Sequence, residues 1–219
     1  MKKYPFILGL LSLVLGALFV ASIIWGEVSL SLGELWEGLT LTDPVVQSIL
    51  WNIRLPRTLV AMAVGAGLSI SGLMMQAYFK NPLASPGLLG VSTGGALGAV
   101  LYIGYGSNML GMWGLPSASI AGAFLATLLV LSLSEIGLGT QRLLLAGIAL
   151  NALLGAATSF VLSLSVSSFE RSGQILFWLL GSLEDRTWEH VWVSLPPVVL
   201  LGFFITSMGS PMNLLSLGE

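Results

Sequence analysis

Two arginines three residues apart, Arg54 and Arg57 in "WNIRLPRTLVAMAVG" (residues 51–65), are the side chains whose type and spacing best suit chemistry. A guanidinium presents a planar fork of donors that matches carboxylates in bidentate geometry. Pro56 between them suits the first turn of a helix, which places both cations at a helix N-terminus, where the macrodipole makes positive charge mildly unfavourable. At i and i+3 the two groups can face the same side. Two readings follow: a receptor for anionic groups, or long side chains that snorkel to a membrane interface and pair with acids of the same chain.

Most other chemistry is excluded by what the chain lacks. It contains no cysteine and one histidine, His190. A bare transition-metal ion would therefore find no thiolate and too few imidazole ligands, and no metal site or cofactor is expected. His190 reads as a solvated loop residue. No GxxxxGK[ST] occurs, so the chain does not cradle ATP phosphates in a P-loop. A formal charge of −2 leaves no nucleic-acid footprint. An intramembrane serine protease needs a base within reach of its nucleophile, and His190 lies outside the predicted core.

The elements that must position these residues follow from composition. Of 219 residues, 55% are hydrophobic and 8% charged, against about 25% charged in an ordinary soluble domain. With a mean hydropathy of +0.94, the chain reads as an integral membrane protein, all-α, a polytopic transmembrane helix bundle forming one domain over 1–219. Spans of roughly 20 apolar residues that satisfy their own backbone are expected. The ionisable residues punctuate six of them: 5–25, 56–79, 88–105, 116–134, 143–167 and 191–208, the last entered through Pro196 and Pro197. The first is too long for a signal-peptide h-region and reads as a retained helix. Residues 26–44 read as a loop with a short interfacial helix, and 168–190 as an amphipathic segment anchored by Phe177, Trp178, Trp188 and Trp192.

Lys2 and Lys3 favour a cytoplasmic N-terminus, which puts Arg54 and Arg57 on the opposite face. The remaining lysines and arginines divide evenly between the two sides, so orientation rests on the N-terminal pair. None of the six predicted spans holds an acidic residue, which counts against a secondary transporter coupled to an ion. Among intramembrane polar groups, Gln76, Asn151, Ser159 and Ser163 are candidates to line a conduit; Gln76 and Asn151 more readily make interhelical hydrogen bonds. Gly90, Gly94 and Gly98, and likewise Gly65 and Ser69, are spaced for close helix approach. Pro82 and Pro86 forbid a continuous helix across 80–87.

The ordered run "RLPRTLVAMAVGAGLSISGLMMQAYFKNPLASPGLLGVSTGGALG" resembles the permease family of bacterial ABC importers for iron–siderophores, haem and vitamin B12. "QRLLLAGIALNALL" (141–154) is similar to the start of that family's fifth helix, "LFWLLGSLEDRTWEHVW" (176–192) to the segment before its sixth, and "SPMNLLSLGE" (210–219) to the approach to its coupling helices. The resemblance implies a transport subunit, not itself an enzyme, in the bacterial inner membrane. It implies docking of a periplasmic or lipid-anchored substrate-binding protein on Arg54 and Arg57, and a cytoplasmic gate near Thr140 and Gln141. It further implies contact with cytoplasmic ATPase subunits through Met212, Asn213, Leu214, Leu215, Ser216, Leu217, Gly218 and Glu219, and pairing with a second permease copy. The family has ten membrane helices; a chain with six is expected to be truncated at its C-terminus.

Overall fold

The computed structural model describes residues 3–26, 28–40, 42–106, 108–135, 140–165 and 169–207. Among them all regular structure is helical, with no strand. Five helical stretches are long and apolar enough to cross a membrane; the predicted span near 88–105 is a shorter apolar helix, Val91–Tyr105. The chain is a multi-pass membrane protein. Its helices fall into two compact units, residues 1–70 with 183–209, and residues 71–182 with 210–219.

The first unit opens with α1 (Lys3–Ile24) and two short helices, α2 (Leu32–Leu39) and α3 (Pro44–Ser48). Ser31 and Glu34 close a reciprocal capping box on α2: the Glu34 amide donates to Ser31 Oγ at 3.3 Å and the Ser31 amide to Glu34 Oε2 at 2.7 Å. The hydrogen bond from the Ser31 backbone holds the exposed Glu34 carboxyl below its ordinary pKa. Asp43 caps α3 through its Oδ1, which accepts from the amides of Val45 and Val46, and Pro44 takes the first helical position. Leu30, Val46 and Leu50 bury together over this corner. The short helix expected in 26–44 is α2.

The chain does not start a new helix at Pro56. It runs from α3 through a π-helical turn, Ile49–Arg54, straight into α4 (Leu55–Phe79). Pro56 offers no N–H to a carbonyl four or five residues back, and its ring would crowd the carbonyl of Asn52 in an α-helix. The wider π winding relieves that crowding. Arg54 and Arg57 therefore lie well inside a helical run, and the expected N-terminal position, with its dipole penalty, is corrected: that position belongs to Asp43 and Pro44. The same unit contains α9 (Trp188–Ser207), in which Pro196 and Pro197 are interior rather than at the start. Its N-cap is Thr187, whose amide donates to His190 Nδ1 at 3.2 Å, so the lone histidine caps a helix instead of lying in a solvated loop. α9 lies against α4, with a Cβ on Gly67 falling 3.3 Å from Val198 and one on Gly202 3.5 Å from Ile70.

In the second unit α4 ends at Lys80 in a left-handed conformation, and Asn81 Oδ1 accepts from the Leu83 amide to start the turn. A 3-10 turn, Pro86–Leu89, leads through left-handed Gly90 into α5 (Val91–Tyr105). α6 (Gly114–Glu135), α7 (Thr140–Leu164) and α8 (Phe169–Leu180) follow. α5 and α6 touch backbone to backbone: a Cβ on Gly94 would fall 2.5 Å from the Gly122 carbonyl oxygen, and one on Gly98 2.2 Å from that of Ala118. That is the small-residue packing expected of membrane helices. Gly65 behaves differently, because a Cβ there meets nothing within 4 Å. Phe79, Ala126, Val130, Leu143 and Leu150 form one core, and Val100, Val161 and Ile175 seat α8 on α5 and α7.

Gly98→Leu drives a side chain into the α6 backbone and is expected to lower the thermal midpoint in detergent or abolish folding, an overpacking cost of about 1–3 kcal/mol or more. Gly65→Ala has open space and should leave the midpoint unchanged or slightly raised.

Candidate functional site

The two arginines do not act as twins. Arg54 is 7% exposed, and its guanidinium turns back onto α1. Nη1 donates to the carbonyls of Ile23 and Ile24, the latter at 2.8 Å, and Nη2 donates to the carbonyl of Val28. Ile23 and Ile24 are the last residues of α1, whose terminal carbonyls have no intrahelical donor. Arg54 is thus the C-terminal cap of a helix that ends 30 residues earlier in the chain, with a favourable interaction at the negative end of its dipole. Gly26 lies flat on this contact: a Cβ there would sit 2.9 Å from Arg54 Nη2. Ser22 Oγ and Thr58 Oγ1 add a bond of 2.9 Å between the same two helices.

Arg57 is exposed. It lines a polar cleft of about 330 Å³ with Asn52, Ile53 and the segment Leu183–Thr187, which brings Glu184, Asp185 and Arg186 to the same opening. Asp185 there has a φ of 53°, a conformation uncommon for a residue with a side chain. One wall of the cleft is tied by Trp188, whose indole Nε1 donates to the Trp51 carbonyl at 2.7 Å. In π winding that carbonyl looks to the amide five residues ahead, and that residue is Pro56. The indole supplies the donor that proline removed. Both arginines border one cavity at the end of α1, but the cleft toward residues 183–187 receives Arg57, while Arg54 donates to carbonyls.

The other candidates are dispersed. Asn151 is half-buried in α7, donating from Nδ2 to the Gly87 carbonyl at 2.8 Å and accepting from Thr93 Oγ1 at 2.5 Å. It makes interhelical hydrogen bonds, clipping α7 to the turn that precedes α5. Close by, a Cβ on Gly147 would overlap the Leu88 carbonyl oxygen. Gln76, Ser159 and Ser163 are exposed on α4 and α7. Buried Thr158, by contrast, donates to the Leu154 carbonyl of its own helix at 2.8 Å. Thr140 and Gln141 open α7, but their side chains lie outside the described residues, as does the whole stretch Met212, Asn213, Leu214, Leu215, Ser216, Leu217, Gly218 and Glu219. Sequence reasoning missed Trp188 and Asp43 as structural partners of the arginine segment. A proline inside a helical run hints at an orphaned carbonyl; nothing in the sequence says which donor will come to it.

Comparison with known proteins places this geometry in context. The model of the FecCD transport family matches residues 13–219. The vitamin B12 import system permease protein BtuC of Shigella boydii serotype 18 is 41% identical over 195 residues, covering 88% of this chain and 58% of that protein. BtuC of Escherichia coli O127:H6 is 41% identical over 194 residues with the same coverage. A solved structure described as an inward-facing conformation of a metal-chelate type ABC transporter superposes with a TM-score of 0.85 at 36% identity, covering 99% of this chain and 66% of that one. The chain spans 58% of the length of these curated relatives.

Arg54→Met leaves three carbonyls without their donor and is expected to cost at least about 2 kcal/mol, since hydrogen bonds to charged groups carry about 1.5–3 kcal/mol each. Arg57→Met should change stability by less than about 0.5 kcal/mol, as exposed substitutions usually do. Thermal unfolding of both variants in one detergent compares them directly.

Proposed function

Because this chain belongs to the FecCD transport family, we propose that it is permease sequence of an ATP-driven importer that carries a metal chelate or cobalamin across the bacterial inner membrane. The observation that carries the reading is the match of the family model over residues 13–219, supported by relatives named for vitamin B12 import and for metal chelates. The N-terminus is cytoplasmic, and the cleft around Arg57 opens to the periplasm. A substrate-binding protein, periplasmic or lipid-anchored, docks over that cleft with an acidic group on Arg57. Arg54 contributes by holding α1 and α4 in register beneath it, although the resemblance assigns it to docking as well. An exposed ion pair contributes about 0–1 kcal/mol, so this contact sets register and encounter rate more than affinity.

Transport proceeds by alternating access between two permease copies. Cytoplasmic ATPase subunits hydrolyse ATP and press on the segment beginning near Met212. Motion reaches α7, whose N-terminal residues Thr140 and Gln141 gate the cytoplasmic exit. The bonds from Asn151 to Gly87 and Thr93 make the turn before α5 travel with α7. Gln76, Ser159 and Ser163 offer small polar surface toward the cargo path. A neutral, weakly polar path suits a cargo whose metal is already wrapped in its chelate.

Co-purification of the gene product from bacterial membranes tests this reading. Arg57→Glu should lose the binding protein and keep the ATPase. Retention of neither partner by the unaltered protein would end the importer reading; retention of both by the variant would end the Arg57 docking role alone.

A further inference from the structure

Two donors compete for one carbonyl at the junction of α3 and α4. In α winding the Leu55 amide would reach back four residues, to the carbonyl of Trp51. In the structure it reaches back five, to Leu50, and the Trp51 carbonyl accepts from the indole Nε1 of Trp188 at 2.7 Å. Each winding has its own cost. The α form satisfies the Trp51 carbonyl but presses the Pro56 ring on the carbonyl of Asn52. The π form escapes the ring and leaves the Trp51 carbonyl bare until a donor arrives from outside the helix. The winding of this junction is therefore tied to a side chain 137 positions away.

We propose that Trp188 is a positioning residue: its indole N–H holds the junction in π winding and so sets the direction in which α4 presents Arg57. A change of pairing by one residue turns the chain before the junction by about 100° relative to the chain after it. Both sides are anchored. Before the junction, Leu50 and Val46 bury with Leu30, and a Cβ on Gly38 would fall 2.5 Å from Leu50 Cδ1. After it, Arg54 donates to the carbonyls of Ile23, Ile24 and Val28, and Thr58 bonds to Ser22. The π register meets both anchorages at once, and a turn of about 100° breaks one of them. Arg57 follows Arg54 by three residues, about 60° around the same helix, so the register that seats Arg54 on α1 also directs Arg57 to the cleft. Trp188 comes directly after the cleft segment Leu183–Thr187. One hydrogen bond thus joins the wall opposite Arg57 to the winding that aims Arg57. The register role needs no partner; its consequence for docking rests on the importer reading above.

The test replaces Trp188 in the complete gene product with 3-benzothienylalanine, which keeps the shape of the indole and lacks its N–H. Hydrogen exchange of the Leu55 amide is then followed in detergent by mass spectrometry at single-residue resolution. Exchange should quicken about fivefold, the change in opening equilibrium that corresponds to losing a hydrogen bond worth about 1 kcal/mol. Trp188→Phe should act alike. Pro56→Ala returns a backbone donor to the Trp51 carbonyl in either winding, from position 56 in the π form or from Leu55 in the α form. In that background the replacement at 188 should therefore leave Leu55 exchange unchanged, a coupling that a packing role would not produce. Equal acceleration in both backgrounds would overturn the proposal, and so would no acceleration in either. On co-purification, 3-benzothienylalanine at 188 should lower retention of the binding protein severalfold with Arg57 intact. Unchanged retention beside quickened exchange would overturn the docking consequence alone, whereas loss of every partner by the unaltered protein would count against the importer reading and leave the register role standing.

Discussion

A backbone carbonyl left bare at a helix end or beside a proline needs a donor from elsewhere, and three distant side chains of this chain supply one. Where helices are regular the donors are their own amides. Where a helix ends or a proline interrupts the ladder, a side chain from elsewhere must come. Arg54 serves the end of α1, Trp188 serves the carbonyl that Pro56 cannot reach, and Asn151 serves Gly87 at the turn before α5. Each of these bonds joins segments far apart in sequence. They locate α1 on α4, the start of α9 on the π turn, and α7 on the turn between α4 and α5.

This constraint explains why the two arginines divide their labour. A guanidinium carries enough donors to satisfy several carbonyls at once, and a lysine in its place would offer a point charge without the planar fork. With Arg54 turned inward, the surface charge at this end of α4 rests on Arg57, at an opening shared with Glu184, Asp185 and Arg186. An opening built this way is mixed in sign.

Close packing supplies the second half of the design. In the second unit, Gly94, Gly98 and Gly122 let α5 and α6 approach until backbone atoms touch, and the helices gain dispersion contacts that hydrophobicity cannot supply between apolar surfaces in lipid. In the first unit the same class of residue does the opposite, since Gly65 and Ala66 face a groove instead of a neighbour. Small residues at helical spacing are therefore ambiguous: they make either an interface or a space.

The fold class and five of the six spans were legible in the sequence because hydrophobicity and the placing of charges are local properties, and each span must satisfy the bilayer by itself; the sixth, 88–105, is the shorter helix Val91–Tyr105. The family resemblance was legible for a related reason, as it resides in one long ordered run of residues. Asn151 as an interhelical hydrogen-bonding residue and the α5 glycines as packing residues could also be foreseen from type and position. The start of the helix at Pro44, the interior place of Pro196 and Pro197, and the capping role of His190 could not. Whether a proline begins a helix or sits inside one depends on the winding before it, and on a distant donor able to reach the carbonyl it leaves bare. The parting of Arg54 from Arg57 was decided by tertiary structure alone, because which of two nearby guanidinium groups is buried depends on where α1 ends in space, a fact held by no residue near them.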